Sequence, residues 1–322
     1  MSAEKQRDEL ARIALLRAHF GASPLASFVR AGIGDDAAVL DLGAAQLVWT
    51  IDAQVDGTHF RSPWASWEDV GWRSFMAAAS DLAAMGATPV AALSALALAP
   101  AVDDEALEAI ARGQALAAKE VGAPIVGGNL ARAEQTSVTT TLLGRASAPV
   151  LRSGAKPGDH VLLAGLLGFA AAGLQALSKN MQDAHFAACC SAWRRPHARI
   201  SDGLALVGVA SAAIDVSDGL ARDVAHVAEA SGVRAVLDEA ALRAHVADLD
   251  LAAAALGRDT LDFALYGGED YALVATSRTP IAGFVSIGLV EEGSGVWLRD
   301  AMGKVEALAA RGFDHFAQDA TK

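Results

Sequence analysis

Twice in this chain an apolar run ends in Ile-Asp and meets an Asp-Gly pair a few residues later: Ile51-Asp52-Ala53-Gln54-Val55-Asp56-Gly57 and Ile214-Asp215-Val216-Ser217-Asp218-Gly219. A carboxylate at a strand end with a nearby Gly is positioned to point into a crevice. Two further acidic clusters follow the same habit, Gly34-Asp35-Asp36-Ala37 and Gly267-Gly268-Glu269-Asp270-Tyr271. Asp81 adds a fifth element, a lone acid inside the Ala-rich run Met76–Met85. Any one cluster is an ordinary turn or helix cap. Together they read as a convergent set of oxygen ligands, the donors that a hard cation such as Mg²⁺ takes alongside substrate phosphates and water. Ser217-Asp218 also reads as a helix start, where free N–H groups and the positive dipole end could hold a phosphate.

The surrounding sequence predicts a chain that alternates strands and helices. Gln46–Ile51 reads as a strand and Ser66–Met85 as a helix, with Ser66 and Asp69 forming a capping box and Gly86 stopping it. Pro89–Leu98 reads as a strand, and Asp103–Val121 as a helix capped by Asp103 with Leu107, Ile110, Ala111 and Leu116 on its apolar stripe. Ile125-Val126 and Ser137–Leu143 read as strands on either side of a turn region at Gly127-Gly128-Asn129. Ala146–Asp159, with Pro149, Gly154, Pro157 and Gly158, reads as a connector, which places a domain boundary near residue 148. Beyond it come a strand at His160–Ala164, a glycine-broken helical region, a strand at Ala212–Ile214 and a helix at Asp218–Ser231. The strands Ala272–Thr276, Phe284–Leu289 and Val296–Arg299 complete the chain. Both halves, 1–148 and 149–322, are therefore expected to be α/β.

Composition narrows the function. The 38 Asp+Glu against 26 Lys+Arg give a net charge of −12, the wrong sign for a general nucleic-acid or anionic-membrane binder. No phosphate loop of the G-x-x-x-x-G-K-[ST] form is present, nor H-E-x-x-H, C-x-x-C or G-x-S-x-G. A phosphate-handling chain of this kind must mask repulsion with metal ions or local Arg. The polar start and the lack of a cleavable apolar segment predict no signal peptide. Val161–Leu177 is short for a membrane span and is interrupted by Gly165, Gly168 and Gly173, so a buried strand–turn–helix is expected. Cys189 and Cys190 are adjacent and form no disulfide framework, which fits a reducing cytoplasm.

Single residues leave alternatives. Asp81 is either a metal ligand or the partner of a nearby Arg such as Arg73. His59 is a candidate contact that could equally be a satisfied core residue. Arg152 is either a solvated loop charge or a phosphate clamp. Trp193–Pro196 reads as a surface helix end.

At this level the chain resembles the thiamine-monophosphate kinases, relatives of aminoimidazole ribonucleotide synthetase and selenophosphate synthetase. The matching stretches are Gly32-Ile33-Gly34-Asp35-Asp36-Ala37-Ala38, Thr50-Ile51-Asp52 with His59-Phe60, Ser80-Asp81-Leu82-Ala83-Ala84-Met85-Gly86-Ala87 and Arg152-Ser153-Gly154-Ala155-Lys156-Pro157-Gly158-Asp159. Ile214–Leu220, Gly267–Tyr271 and Gly312-Phe313-Asp314-His315-Phe316 follow in the family's order.

The resemblance implies a two-domain α/β (α+β) fold like that of aminoimidazole ribonucleotide synthetase. Its N-terminal unit, 1–148, would bind ATP and Mg²⁺ and dimerise through its sheet, and its C-terminal unit, 149–322, would be an α/β domain. It implies transfer of the γ-phosphoryl group of ATP to thiamine monophosphate, with several Mg²⁺ ions, by positioning rather than by covalent work. Mg²⁺ would be held by Asp36, Thr50, Ile51 (through its backbone), Asp52, Asp81, Asn129, Asp215 and Asp218. ATP would contact Gly128, Asn129, Arg152 and Ser217, and the thiamine substrate His59, Glu269 and Phe313. The chain departs from the family in three places: Asn129 stands for a metal-binding Asp, Ala78 for a usual Asn, and Ile51 for a frequent Thr. A relative acting on another acceptor, or a non-catalytic nucleotide binder, are the alternatives. No Cys precedes Asp35 as the selenophosphate branch would require, and the chain ends Ala320-Thr321-Lys322, without the terminal Cys of the hydrogenase-maturation branch.

Overall fold

The architecture is that of a computed structural model, which describes residues 28–31, 34–43, 46–181 and 183–313. Gly32, Ile33 and Asp314-His315-Phe316, quoted above as matching stretches, lie outside these described residues. The first sheet holds β1 (Val29–Ala31), β2 (Ala38–Asp41), β3 (Gln46–Val55), β4 (Thr88–Leu98), β5 (Ile125–Arg132) and β6 (Ser137–Ala146), in the order β1-β2-β3-β6-β4-β5. Its ladders are antiparallel except β4–β5, which is parallel.

Helix α1 (Trp67–Ala84) begins as predicted: the Ser66 hydroxyl accepts the Asp69 N–H, and the Asp69 side chain reaches back to the Ser66 N–H. It is buried on nearly every side, which an Ala-rich sequence without a polar face permits. Helix α2 (Asp104–Val121), capped by Asp103, crosses it closely. A Cβ at Gly71 would lie 2.0 Å from the Ile110 carbonyl oxygen, and one at Gly113 1.9 Å from that of Glu68, so only glycine allows this crossing.

The second sheet holds β7 (His160–Ala164), β8 (Ala212–Val216), β9 (Arg234–Asp238), β10 (Ala272–Ser277), β11 (Val285–Glu291), β12 (Gly295–Arg299) and β13 (Val305–Ala307), in the order β13-β12-β9-β11-β7-β10-β8. Around it lie α3 (Phe169–Ser178), α4 (Ala187–Arg194), α5 (Ile200–Leu204), α6 (Leu220–Ser231), α7 (Glu239–His245), α8 (Asp250–Leu256) and α9 (Thr260–Tyr266). Val161–Leu177 is thus a buried strand, turn and helix. Among the described residues no helix is long and apolar enough to cross a membrane.

Three apolar clusters place the site. Val48, Phe75, Met76, Leu82 and Leu142 bind α1 to the first sheet. Leu163, Ile214, Leu220, Val224 and Val274 bind α6 to the second. A third cluster joins the two halves, with Phe60, Val70 and Ile110 packed with Phe169, Phe186, Trp193 and Phe263. This shared core fixes the ends of β3 and β8 relative to α1.

Four expectations are corrected. β3 does not stop at Ile51 but runs on to Val55, so Asp52 lies within the ladder opposite Thr140 and not at a strand end. Gly127-Gly128-Asn129 is not a turn but the middle of β5. There a Cβ at Gly128 would meet the Ser94 carbonyl oxygen at 1.8 Å, so close approach to β4 requires the glycine that looked like turn chemistry. Helix α6 starts at Leu220, not at Asp218, because Ser217 and Asp218 belong to a loop with its own hydrogen bonds. Trp193 is no surface residue: it is 1% exposed and sits in the core between the halves.

Candidate active site

Three carboxylates from distant parts of the chain meet: Asp36 from the bend before β2, Asp81 from the last turns of α1 and Asp215 from β8. One oxygen from each lies within 4.8 Å of the other two. Each is held by its own partner. Thr50 donates its hydroxyl to Asp81. Ser80 donates to Asp215 Oδ2 at 2.6 Å, and Arg152 donates through Nη2 to Asp36 Oδ1 at 2.7 Å. The second Asp36 oxygen is buried without a partner among the described residues.

Electrostatics follow from this crowding. Burial raises all three carboxyls, and for Asp81 the neighbouring Asp215 and Asp36 push it further, well above the usual carboxylate range. Asp215 is pushed up to about 7, by burial first and then by Asp36. Asp35 is raised as well, by burial and by Asp36. Such a cluster, with Arg152 as its one close guanidinium, is short of positive charge.

A cavity of about 410 Å³ opens beside Asp81 and Asp215. Asp52, Asp218 and Ser217 line it with them, as do His59, Glu269, Tyr271, Tyr266 and Phe313. Its carboxylates suit cations and phosphates, and its aromatic residues suit a flat organic group.

The loop Gly267–Tyr271 supplies part of the cavity wall. Glu269 and Tyr271 both have left-handed backbones, at φ 66° and 49°. The buried Asp270 between them points the other way, accepting the N–H groups of Gly168 at 2.6 Å and Ala170 at 3.0 Å at the start of α3. Burial pushes Asp270 up to about 7 in spite of those two donors. Glu269 is clamped: Arg73 donates to one oxygen and Trp193 Nε1 to the other at 2.8 Å. Arg73, itself 1% exposed, also donates to Gln54 and to the Trp193 carbonyl and lies over the Trp193 ring. Arg73 therefore pairs with Glu269, not with Asp81.

The N–H groups expected to be free at Ser217-Asp218 are already engaged. Those of Ser217, Asp218 and Gly219 all donate to one oxygen of Asp223, each at 3.1 Å. Asp218 faces the cavity and stands 3.6 Å from Arg222. His59 Nδ1 accepts the Val55 N–H at 3.1 Å, which leaves the ring proton on Nε2. The Phe313 N–H donates to the Asp218 carbonyl at 3.0 Å, bringing its half-exposed ring to the cavity.

Of the remaining residues singled out from sequence, Thr50 and Arg152 join the cluster, while Ile51, Gly128 and Asn129 do not join it within this chain. Thr50 does so through its hydroxyl, whereas the Ile51 side chain is 69% exposed on the outer face of the first sheet. Sheet register puts Ala53, Thr139, Ala95 and Asn129 in one row. Asn129 thus shares the outer face with Ile51, opposite to Asp52. Gly128 lies in the row of Asp52, Thr140 and Ser94, at the far edge of the sheet. Arg152 is no free loop charge, since Asp36 holds it.

Arg73, Trp193 and Asp223 were not expected as parts of the site, whereas Asp270, expected within the fourth acidic cluster, turns away to the start of α3. The one local signal was an acid or base placed among buried positions, such as Asp223 beside Leu220 and Val224 on the apolar face of α6.

Comparison with known proteins shows the family. Residues 34–146 match the family model described as AIR synthase related protein, N-terminal domain. The chain is 40% identical over 266 residues to the thiamine-monophosphate kinase of Mycobacterium tuberculosis strain H37Rv, covering 81% of this chain and 79% of the relative. It is 33% identical over 291 residues to that of Aquifex aeolicus, covering 88% and 92%. Among solved structures, AaThiL complexed with AMPPCP and TMP superposes with a TM-score of 0.86 at 30% identity, covering 98% of this chain and all of that one, 100%.

Proposed function

This chain belongs to the thiamine-monophosphate kinase family, and from that premise we propose that it transfers the γ-phosphoryl group of ATP to the phosphate of thiamine monophosphate, giving thiamine diphosphate. The observation that carries the reading is the meeting of Asp36, Asp81 and Asp215 beside a cavity lined by both carboxylates and aromatic residues. The AaThiL complex, whose ligands include an ATP analogue, supports the same pair of substrates.

The donor set fits Mg²⁺. Three buried carboxylates and an orphaned Asp36 oxygen are oxygen ligands in need of positive charge. We assign them to the metal, with Asp52, Asp218, the Thr50 hydroxyl and the Ile51 backbone as further candidates. When bound there, Mg²⁺ neutralises phosphate charge and aligns the two phosphates. The protein's own part is positioning. Ser80 and Thr50 fix Asp215 and Asp81, Arg152 supplies a guanidinium that can pass from Asp36 to an ATP phosphate, and Ser217 faces the cavity. In the same cavity His59, Glu269 and Phe313 take the thiamine moiety, the Glu269 carboxylate being fixed by Arg73 and Trp193.

Gly128 and Asn129 reach such a site only from another copy of the chain. The outer face of the first sheet that carries Asn129 also exposes Trp49, Ile51 and Leu93, which supports a homodimer formed through that face. We place the unit boundary near residue 148 and the enzyme in the cytoplasm, where the buried thiols of Cys189 and Cys190 stay reduced.

The test is a coupled assay of the purified chain with ATP and Mg²⁺. Thiamine monophosphate should be consumed to thiamine diphosphate, and neither free thiamine nor an aminoimidazole ribonucleotide precursor should replace it. Turnover of either substitute at a comparable rate would contradict the reading.

A further inference from the structure

Tyr271 is 5% exposed and has a left-handed backbone, which a bulky side chain adopts only where its surroundings impose it. Here the imposition is visible. The Tyr271 N–H donates to the Val216 carbonyl at 2.9 Å, and the next residue enters β10 between β7 and β8. The Asp270 carboxylate is pinned to the start of α3. The chain therefore turns the tyrosine into the cavity that it lines.

A tyrosine hydroxyl at a cavity wall ordinarily finds its hydrogen-bond partner in the protein or in what enters the cavity. This one makes no hydrogen bond with the described residues, although it shares the cavity wall with Glu269, Asp52 and Asp215. The neighbouring carboxylates cannot donate a hydrogen bond when ionised, and the nearby guanidiniums of Arg73 and Arg152 are engaged with Glu269 and Asp36. A neutral O–H at this wall is a donor that adds no negative charge.

We propose that Tyr271 contacts substrate directly, its hydroxyl donating a hydrogen bond to an oxygen of the acceptor's phosphate. This rests on the phosphoryl-acceptor reading above. An acceptor with its ring on the Phe313 side and its phosphate on the Asp215 side passes the Tyr271 hydroxyl with the phosphate oxygens nearest to it. The strained backbone is then explained as what places that donor. Tyr266, the other tyrosine of the cavity, lies under Arg311 instead.

The variant Tyr271→Phe removes only the hydroxyl. Because that hydroxyl holds nothing in the protein, the melting temperature should not change. Calorimetry is done on the full chain loaded with Mg²⁺ and a non-hydrolysable ATP analogue, titrating thiamine monophosphate and, separately, free thiamine. A hydrogen bond to an anionic oxygen predicts that thiamine monophosphate binds about tenfold or more weakly to the variant, while free thiamine binds the same. Unchanged affinity for thiamine monophosphate would overturn the assignment. So would an equal loss for both ligands, which places the contact on the ring, or a loss of affinity accompanied by a lower melting temperature, which makes the role structural. If the parent protein itself fails to prefer thiamine monophosphate over thiamine, the functional reading falls, and this assignment with it.

Discussion

Arg152 donates to Asp36 Oδ1 at 2.7 Å, while the other oxygen of the same buried carboxylate has no partner among the described residues. A guanidinium thus stands in for half of the positive charge that this corner of the protein calls for. Replacing Arg152 with Met leaves Asp36 buried and uncompensated. Arg152 is partly exposed, so the loss should be about 1–3 kcal/mol, less than for a fully buried pair. Mg²⁺ should restore most of that loss, and KM for ATP should rise. Melting curves with and without Mg²⁺ decide it: if the metal leaves parent and variant equally far apart, Arg152 is not at the metal's position.

The carboxyls raised by burial make a pH prediction with a definite sign. Asp215 and Asp270 titrate near 7 in the folded chain, against an ordinary value of 3.8. Between these values the folded state binds more protons than the unfolded one, so stability falls as pH rises through this window and levels off above about 7. The metal-free protein should therefore melt higher at pH 5 than at pH 8. Mg²⁺ should cancel the part due to Asp215 and leave the part due to Asp270. A melting temperature that rises with pH in the metal-free protein would contradict the assignment of charge.

Asp223 holds the loop that carries Ser217 and Asp218 by accepting three backbone N–H groups on one oxygen. Asp223→Ala orphans those donors and should cost about 3–5 kcal/mol together with most of the turnover. Asp223→Asn keeps an acceptor oxygen and should recover a large part of both. Denaturant unfolding and initial rates on the two variants check this, and equal behaviour of Ala and Asn would rule it out.

Ile51, Trp49 and Leu93 are exposed on one sheet face. Ile51→Arg adds charge there without touching the core. Sedimentation should show the parent as a dimer and the variant shifted toward monomer, with activity falling in parallel if Asn129 of a second copy completes the site. An active monomeric variant would confine the site to one chain.

Much of this was legible in the sequence. The capping box of Ser66 and Asp69 and the stop at Gly86 are local signals, and they mark α1 to within a residue. The Ile-Asp pairs were legible as cavity-facing acids, although Asp52 lies within β3 and not at its end. What could not be read is contact between distant residues. Nothing around Arg73 announces Glu269, which lies nearly two hundred residues away. Gly127-Gly128-Asn129 carries turn chemistry, and only the approach of β4 makes it a strand. Asp218-Gly219 carries cap chemistry, and only the Asp223 carboxylate draws its N–H groups out of the helix.

The central claim is that Asp36, Asp81 and Asp215 form the metal site for phosphoryl transfer to thiamine monophosphate. Its most direct test follows γ-labelled ATP with thiamine monophosphate and Mg²⁺ in the parent, Asp81→Ala and Asp215→Ala. Both substitutions remove a buried carboxylate that is costly without metal, so both variants should stay folded and melt no lower than the metal-free parent. The account predicts label in thiamine diphosphate from the parent and a loss of at least about 10³-fold, roughly 4 kcal/mol of transition-state stabilisation, in each variant. Near-parental transfer by both folded variants would contradict it.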